Sequence, residues 1–387
     1  MIEFKLPSLG SDMDEGKLLQ WHVAPGQAVK KGDVVAVVDT SKAAVDVEVW
    51  HNGIVHQLLT GVGQTIPVGT VMALLLAPGE APPQDEAPPV VPAAGAAATL
   101  TRQRVSPSAR QLARQLGVDL AGLTGTGADG AVTRADVEGA VRLRAGSPAG
   151  PQQVAAAPTA AAAAAARAAE MRRAIAAAMA RSKREIPHYY LSETVPMRNA
   201  LDWLRQANVQ RPVTERLLPA VLLLKAVGLA VRDYPEMNGL LVDGVFRPAE
   251  AAHIGVAISL RQGGLVAPAL HDVGSTDLTD LMAGLADLVK RCRAGSLRSS
   301  EMSDPTITVT NLGDQGVEQV FGVIYPPQVA LVGFGRIAER AWVEDGRLAN
   351  MSVLTVSLSA DHRVSDGHRG ALFLARLRAL LQQPESL

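Results

Sequence analysis

The chain has 387 residues, of which 48% are hydrophobic, and its 37 Lys and Arg nearly balance 38 Asp and Glu. A net charge of -1 excludes the global positive field that nucleic acid or an anionic membrane would require. The length exceeds what one hydrophobic core usually organises, and the single cysteine, Cys292, excludes an internal disulfide framework and fits a reducing compartment, with the cytoplasm as the expected location.

Taken in chain order, the N-terminal stretch "MIEFKLPSLGSDMDEG" lacks the basic-then-apolar pattern of a signal peptide. Residues 1–77 show short Val-rich strands between glycine turns, and "WHVAPGQAVKKGDVVAVV" is answered by "HQLLTGVGQTIPVGTVMALL". This duplication predicts two similar sheets related by a pseudo-twofold. Between the halves, "VVDTSKAAVDVEV" at 37–49 reads as a hairpin with Lys42 at its tip. Lysine is a common solvated turn residue, so the tip alone proves nothing.

Residues 78–100 and 145–166 are rich in alanine and proline and lack core-forming side chains. They read as semi-stiff linkers, with Thr159 a possible cap for a helix that starts within the second alanine run. Between them, residues 101–144 form a small unit with a glycine-rich loop, "GTGADG", and Thr133 with Asp136 at the start of a second helix. This unit is locally basic, carrying Arg102, Arg104, Arg110, Arg114 and Arg134. Residues 167–387 mix amphipathic helices with β-like runs, an α+β pattern. Within them "LLPAVLLLKAVGLAV" at 217–231 is too short for a comfortable membrane span and carries Lys225, so it predicts a buried helix.

These three modules, in this order, resemble the dihydrolipoamide acyltransferase component of 2-oxo acid dehydrogenase complexes of the pyruvate or acetoin type. The likeness rests on "DTSKA" in the first module, where the family usually shows Glu-Thr-Asp-Lys-Ala, and on "SPSARQLARQLGVDL" with "GTGADG" in the second. In the third it rests on "TVTNLGDQG", "YPPQVALVGFG" and "SADHRVSDG". The resemblance implies an all-β lipoyl domain (a flattened β-barrel or sandwich), a small all-α subunit-binding domain and an α+β acyltransferase core resembling chloramphenicol acetyltransferase. It makes Lys42 the lipoyl attachment site. A biotin-carrying domain shares that fold but usually flanks its lysine with methionines, where this chain has Ser41 and Ala43.

The reaction implied is transfer of an acyl group, expected to be acetyl, from dihydrolipoyl-lysine to coenzyme A. A thiol with a pKa of about 8.5 needs a base near neutrality, and the resemblance gives that role to His362. Thr310, where the family more often has serine, keeps the hydroxyl that would stabilise developing negative charge. Asp366 either assists His362 or pairs with Arg172 or Arg173. For Arg104, Arg110, Arg114 and Arg134 the resemblance implies docking of dihydrolipoamide dehydrogenase or the decarboxylase component, although Ala131 stands where the family commonly has arginine. Self-assembly through trimers into a large core is expected. Cys292 reads as an ordinary helix residue, and no histidine has metal-ligand spacing. A noncatalytic lipoyl-bearing tether is the alternative reading, disfavoured by the joint presence of His362 and Thr310.

Overall fold

The computed structural model describes residues 1–8, 13, 15–40, 44–77, 109, 112, 113, 126, 127, 131–138, 160–260, 264–344 and 346–387. Contacts divide the chain into one unit of Met1–Pro82 with Ala160–Leu387 and another of Pro83–Thr159. Lys42, Arg104, Arg110, Arg114 and the linker residues up to 159 lie outside the described residues.

The N-terminal module consists of strands β1 (Ile2–Lys5), β2 (Glu15–Trp21), β3 (Ala28–Val29), β4 (Val34–Asp39), β5 (Ala44–Glu48), β6 (Gly53–Leu58), β7 (Thr65–Pro67) and β8 (Val71–Leu76). They form two four-strand layers, ordered β1-β8-β6-β3 and β5-β4-β2-β7. Val and Leu side chains alternate inward, so Leu18, Val35, Val38, Val45, Val47, Met72 and Leu75 make one buried core. The sequence duplication is a structural one. A constant offset carries Gly26 and Gly32 onto Gly63 and Gly69, all four at positive φ, and β2, β3 and β4 onto β6, β7 and β8. Even the turn bonds repeat: Ala24 N donates to Gln27 Oε1 at 3.2 Å, and Gly61 N to Gln64 Oε1 at 3.1 Å. The β4–β5 ladder runs out to Asp39 opposite Ala44, the pair that flanks residues 40–43.

In the second unit, residues 134–138 are helical. The Asp136 carboxylate accepts from Thr126 Oγ1 (2.6 Å), Thr126 N (3.0 Å), Thr133 N (2.8 Å) and Thr133 Oγ1 (2.9 Å). These bonds, led by the Thr126 hydroxyl, hold it well below the usual carboxylate range. Arg134 is solvent-exposed and pairs with Glu138 one turn on.

The third module opens with α1 (Ala160–Glu185), which begins ahead of the Arg167 boundary read from composition because alanine is the strongest helix former. It continues with β9 (His188–Pro196), α2 (Arg198–Ala207), α3 (Pro219–Asp233), β10 (Gly239–Val242), β11 (Val245–Pro248), β12 (Ile254–Val256), β13 (Ile258–Ser259), β14 (Leu265–Val266) and β15 (Ala269–Leu270). Then follow α4 (Leu278–Ala294), β16 (Leu297–Arg298), α5 (Ser299–Ser303), β17 (Ile307–Asn311), β18 (Ala330–Phe334), β19 (Ala338–Glu344), β20 (Arg347–Asp361) and α6 (Gly367–Gln382). The central mixed sheet runs β15-β12-β17-β18-β20-β19, and β9 pairs with β20 along its whole length.

Period-two alternation splits this sheet into unlike faces. Val309, Val332, Leu358 and Ala360 join the core with Leu222 and Val227 of α3 and Phe373 and Leu377 of α6. Thr308, Thr310, Ser357, Ser359 and Asp361 occupy the alternate positions, hence the opposite face. The apolar run at 217–231 is the buried helix α3 that its composition predicts. Lys225 ends at the turn before α4, donating to Gly274 O (3.0 Å) and Thr276 O (2.7 Å), and burial lowers its pKa. Cys292 is buried on α4, its thiol pushed up to about 11 by that burial. Among the described residues no helix is long and apolar enough to cross a membrane.

Candidate active site

His362 follows the last residue of β20, where the long strand turns into α6. Its backbone N–H donates to Pro187 O at 3.0 Å, and its ring meets the edge of Tyr189, with centroids 5.3 Å apart. The neighbours Asp361 and Arg363 form a rigid frame. Asp361 is fully buried and accepts from Arg363 N (2.9 Å), Nε (3.0 Å) and Nη2 (2.6 Å), which raises the guanidinium pKa further. The Asp361 carbonyl also accepts from Val364 N and Ser365 N, so the turn "DHRVS" closes on itself. Tyr189 Oη and Ser365 Oγ share a hydrogen bond of 2.8 Å, locking the aromatic wall to the turn.

Asp366 caps α6. Its side chain accepts from Arg369 N at 2.9 Å, and that bond chiefly holds the carboxyl below the usual range. Among the described residues it has no ion pair, with Arg172, Arg173 or any other cation. Beside the turn, His188 is fixed as a neutral imidazole: Nδ1 donates to Ile186 O (2.9 Å) and Nε2 accepts from Ile324 N (3.1 Å), while burial lowers its pKa. Ser182 Oγ holds the carbonyl of the same Ile324 at 2.6 Å. The segment before the β18 strand is thereby laid across the polar face of the sheet, where Ser357 Oγ donates to Val320 O. Ser359 Oγ, under this cover, is buried and has no partner among the described residues.

Thr310 lies on that polar face, half-buried, in register with Gly333 of β18 and, through it, Ser357 of β20. His362 is five residues beyond Ser357, about 16 Å along the chain at about 3.3 Å per residue. One chain therefore brings His362 and Asp366 into one turn and leaves Thr310 two strands away and five residues back along β20. Tyr189, Ser365 and the Asp361–Arg363 frame escape a reading by motif. A signal was available in "DHR": residues before and after His362 share one side, so an acid and an arginine there can brace the strand end. The described cavity, of about 750 Å³, lies elsewhere, between α2 and the β19–β20 hairpin, and is lined by Arg198, Arg205, Arg216 and Glu339. Among the described residues no group of three or more His, Cys, Asp or Glu could hold a metal ion.

The family model described as 2-oxoacid dehydrogenases acyltransferase (catalytic domain) matches residues 161–387, and the models described as biotin-requiring enzyme and e3 binding domain match residues 2–75 and 104–138. The lipoamide acyltransferase component of the branched-chain alpha-keto acid dehydrogenase complex of Bacillus subtilis is 31% identical over 98% of this chain and 97% of its own. The dihydrolipoyllysine-residue acetyltransferase component of the pyruvate dehydrogenase complex of Zymomonas mobilis is 29% identical over 99% and 98%. A solved structure of Azotobacter vinelandii dihydrolipoamide acetyltransferase, from work on the role of a serine, a histidine and an asparagine in its mechanism, is 28% identical. It covers 56% of this chain and 90% of its own, with a TM-score of 0.52. The chain belongs to the family of 2-oxoacid dehydrogenase acyltransferases. It is an acyl-transferring enzyme of three modules, working with covalently carried lipoate and with coenzyme A as substrate.

Proposed function

We propose that this chain moves an acetyl group from dihydrolipoyl-Lys42 to coenzyme A, at the core of a pyruvate or acetoin dehydrogenase complex in the cytoplasm. The observation that carries the reading is the braced turn holding His362 at the end of a polar sheet face on which Thr310 also lies. The residues that the Azotobacter work addresses stand at the same sequence intervals as Thr310, His362 and Asp366, with serine for Thr310 and asparagine for Asp366.

In this reading His362 takes the proton from the coenzyme A thiol as its sulfur bonds to the acyl carbon. Thr310 donates its hydroxyl to the acyl oxygen while negative charge resides there. As the old carbon–sulfur bond breaks, His362 returns the proton to the carrier sulfur, so no covalent acyl-enzyme forms. Asp366 positions the His362 turn by capping α6. Because one chain separates His362 from Thr310, a complete site takes one from each of two copies, which fits assembly through trimers. The divisions 1–77, 78–100, 101–144, 145–166 and 167–387 describe the modules and their linkers, with α1 extending the last module back to Ala160. Arg104, Arg110, Arg114 and Arg134 serve the docking of dihydrolipoamide dehydrogenase or the decarboxylase.

The test is a panel of acetyl-, propionyl-, isobutyryl- and succinyl-coenzyme A with dihydrolipoamide as acceptor. The highest kcat/KM is expected for acetyl. A preference for isobutyryl would reassign the chain to branched-chain chemistry.

A further inference from the structure

The two layers of the N-terminal module have equivalent outer edges, β5 in one and β1 in the other, as the offset between the halves requires. Exposed edge strands are ready-made templates for a further strand. Only one edge is covered among the described residues. Strand β16 of the acyltransferase module adds to β5 in parallel, Leu297 beside Val45 and Arg298 beside Asp46. The edge so covered is β5, the strand that follows residues 40–43.

Side chains reinforce the seam. Glu48 N donates to Ser299 Oγ at 3.1 Å, and the Glu48 carboxylate accepts from Ser300 Oγ at 2.5 Å. Glu48, Ser299, Val45 and Leu297 are all buried there, and Met302 packs against the cores of both modules. The receiving corner is also braced from behind. Glu301, itself buried, takes both terminal nitrogens of Arg291 and the backbone N–H of Arg298. Nothing in the reaction assigned to His362 and Thr310 uses Leu297–Ser303, which precedes the near end of β17 while Thr310 lies toward its far end.

We propose that Leu297–Ser303 is a berth for the chain's own N-terminal carrier module, which docks by strand addition at β5 and is clasped through Glu48. The berth stands independently of the acyl group transferred. It gives the carrier a parked state on its own acyltransferase module, which must open before the carrier can travel.

Cross-linking of the full-length chain tests this. Cysteines at Asp46→Cys and Arg298→Cys replace side chains outside the core on paired residues, at a spacing that a disulfide bridges. Glu3→Cys with Arg298→Cys is the control, because Glu3 on β1 is the symmetry mate of Asp46. Under mild oxidation, non-reducing gels and peptide mass mapping should show the 46–298 bridge within one chain at least tenfold faster than the 3–298 bridge. Adding Glu48→Ala should slow it several-fold. Equal rates for the two pairs, a bridge found only between chains, or indifference to Glu48→Ala would overturn the berth.

Discussion

At the level of single residues, the braced turn separates what His362 does from what holds it. His362→Ala should lower kcat by about 10²–10⁴ with little change in KM, and Thr310→Ala by about 10²–10³, while Thr310→Ser stays close to wild type. Steady-state kinetics on variants verified as assembled by light scattering check this; near-normal turnover of assembled His362→Ala would remove the base. A second residue pair lies away from this site. His271 Nε2 bonds Asp304 at 3.1 Å, which raises the His271 pKa above its ordinary value, whereas burial lowers that of His253, whose ring packs against it. A raised folded pKa contributes stability that is present below about 6.5 and lost as pH rises through the raised value. His271→Gln should therefore lower the thermal midpoint more at pH 5.5 than at pH 8, and an equal loss at both would deny the charged pair. The motif "DHRVSDG" singled out the turn at 362 and left Asp366 with two readings. Its capping bond was not separable from an arginine partner until α6 was seen to start at Gly367.

At the level of elements, β18 is the hinge of the design. Its Gly333 lets the covering segment lie directly on the sheet: a Cβ there would collide with the Val320 carbonyl and the Ser357 hydroxyl. Gly333→Ala should cost about 1–3 kcal/mol by overpacking and displace the cover. The check is a lowered thermal midpoint together with reduced turnover; unchanged values of both would show that the segment yields freely. The duplicated strands of the carrier module were readable because each half repeats both its glycines and its glutamine. Register across the central sheet was not. Thr310 and His362 sit in separate motifs, and only the β17-β18-β20 ladder shows that one falls opposite Ser357 and the other five residues beyond.

At the level of the whole molecule, that separation predicts complementation. Chains carrying His362→Ala and chains carrying Thr310→Ala should each be inactive in homogeneous assemblies. After dissociation and co-assembly in equal amounts they should recover about a quarter of the wild-type rate, since random pairing in a closed ring leaves that share of interfaces intact. No recovery would place both residues in a site within one chain. In the alanine run, composition hid the start of α1, since alanine suits a helix and a spacer alike.

The twofold in the carrier module has one more consequence. The β4–β5 pairing that ends at Asp39 and Ala44 has its mate in β8–β1, where Leu75 lies opposite Ile2. The corner equivalent to the Asp39–Ala44 pair is thus the place where the polypeptide enters and leaves the module. With the attachment proposed at Lys42, one corner bears the cargo and its twin bears the tether, so the twofold keeps the load and the leash apart. In that reading, lengthening residues 78–100 should extend the leash without altering the presentation of the load, so that travel and chemistry are tuned independently.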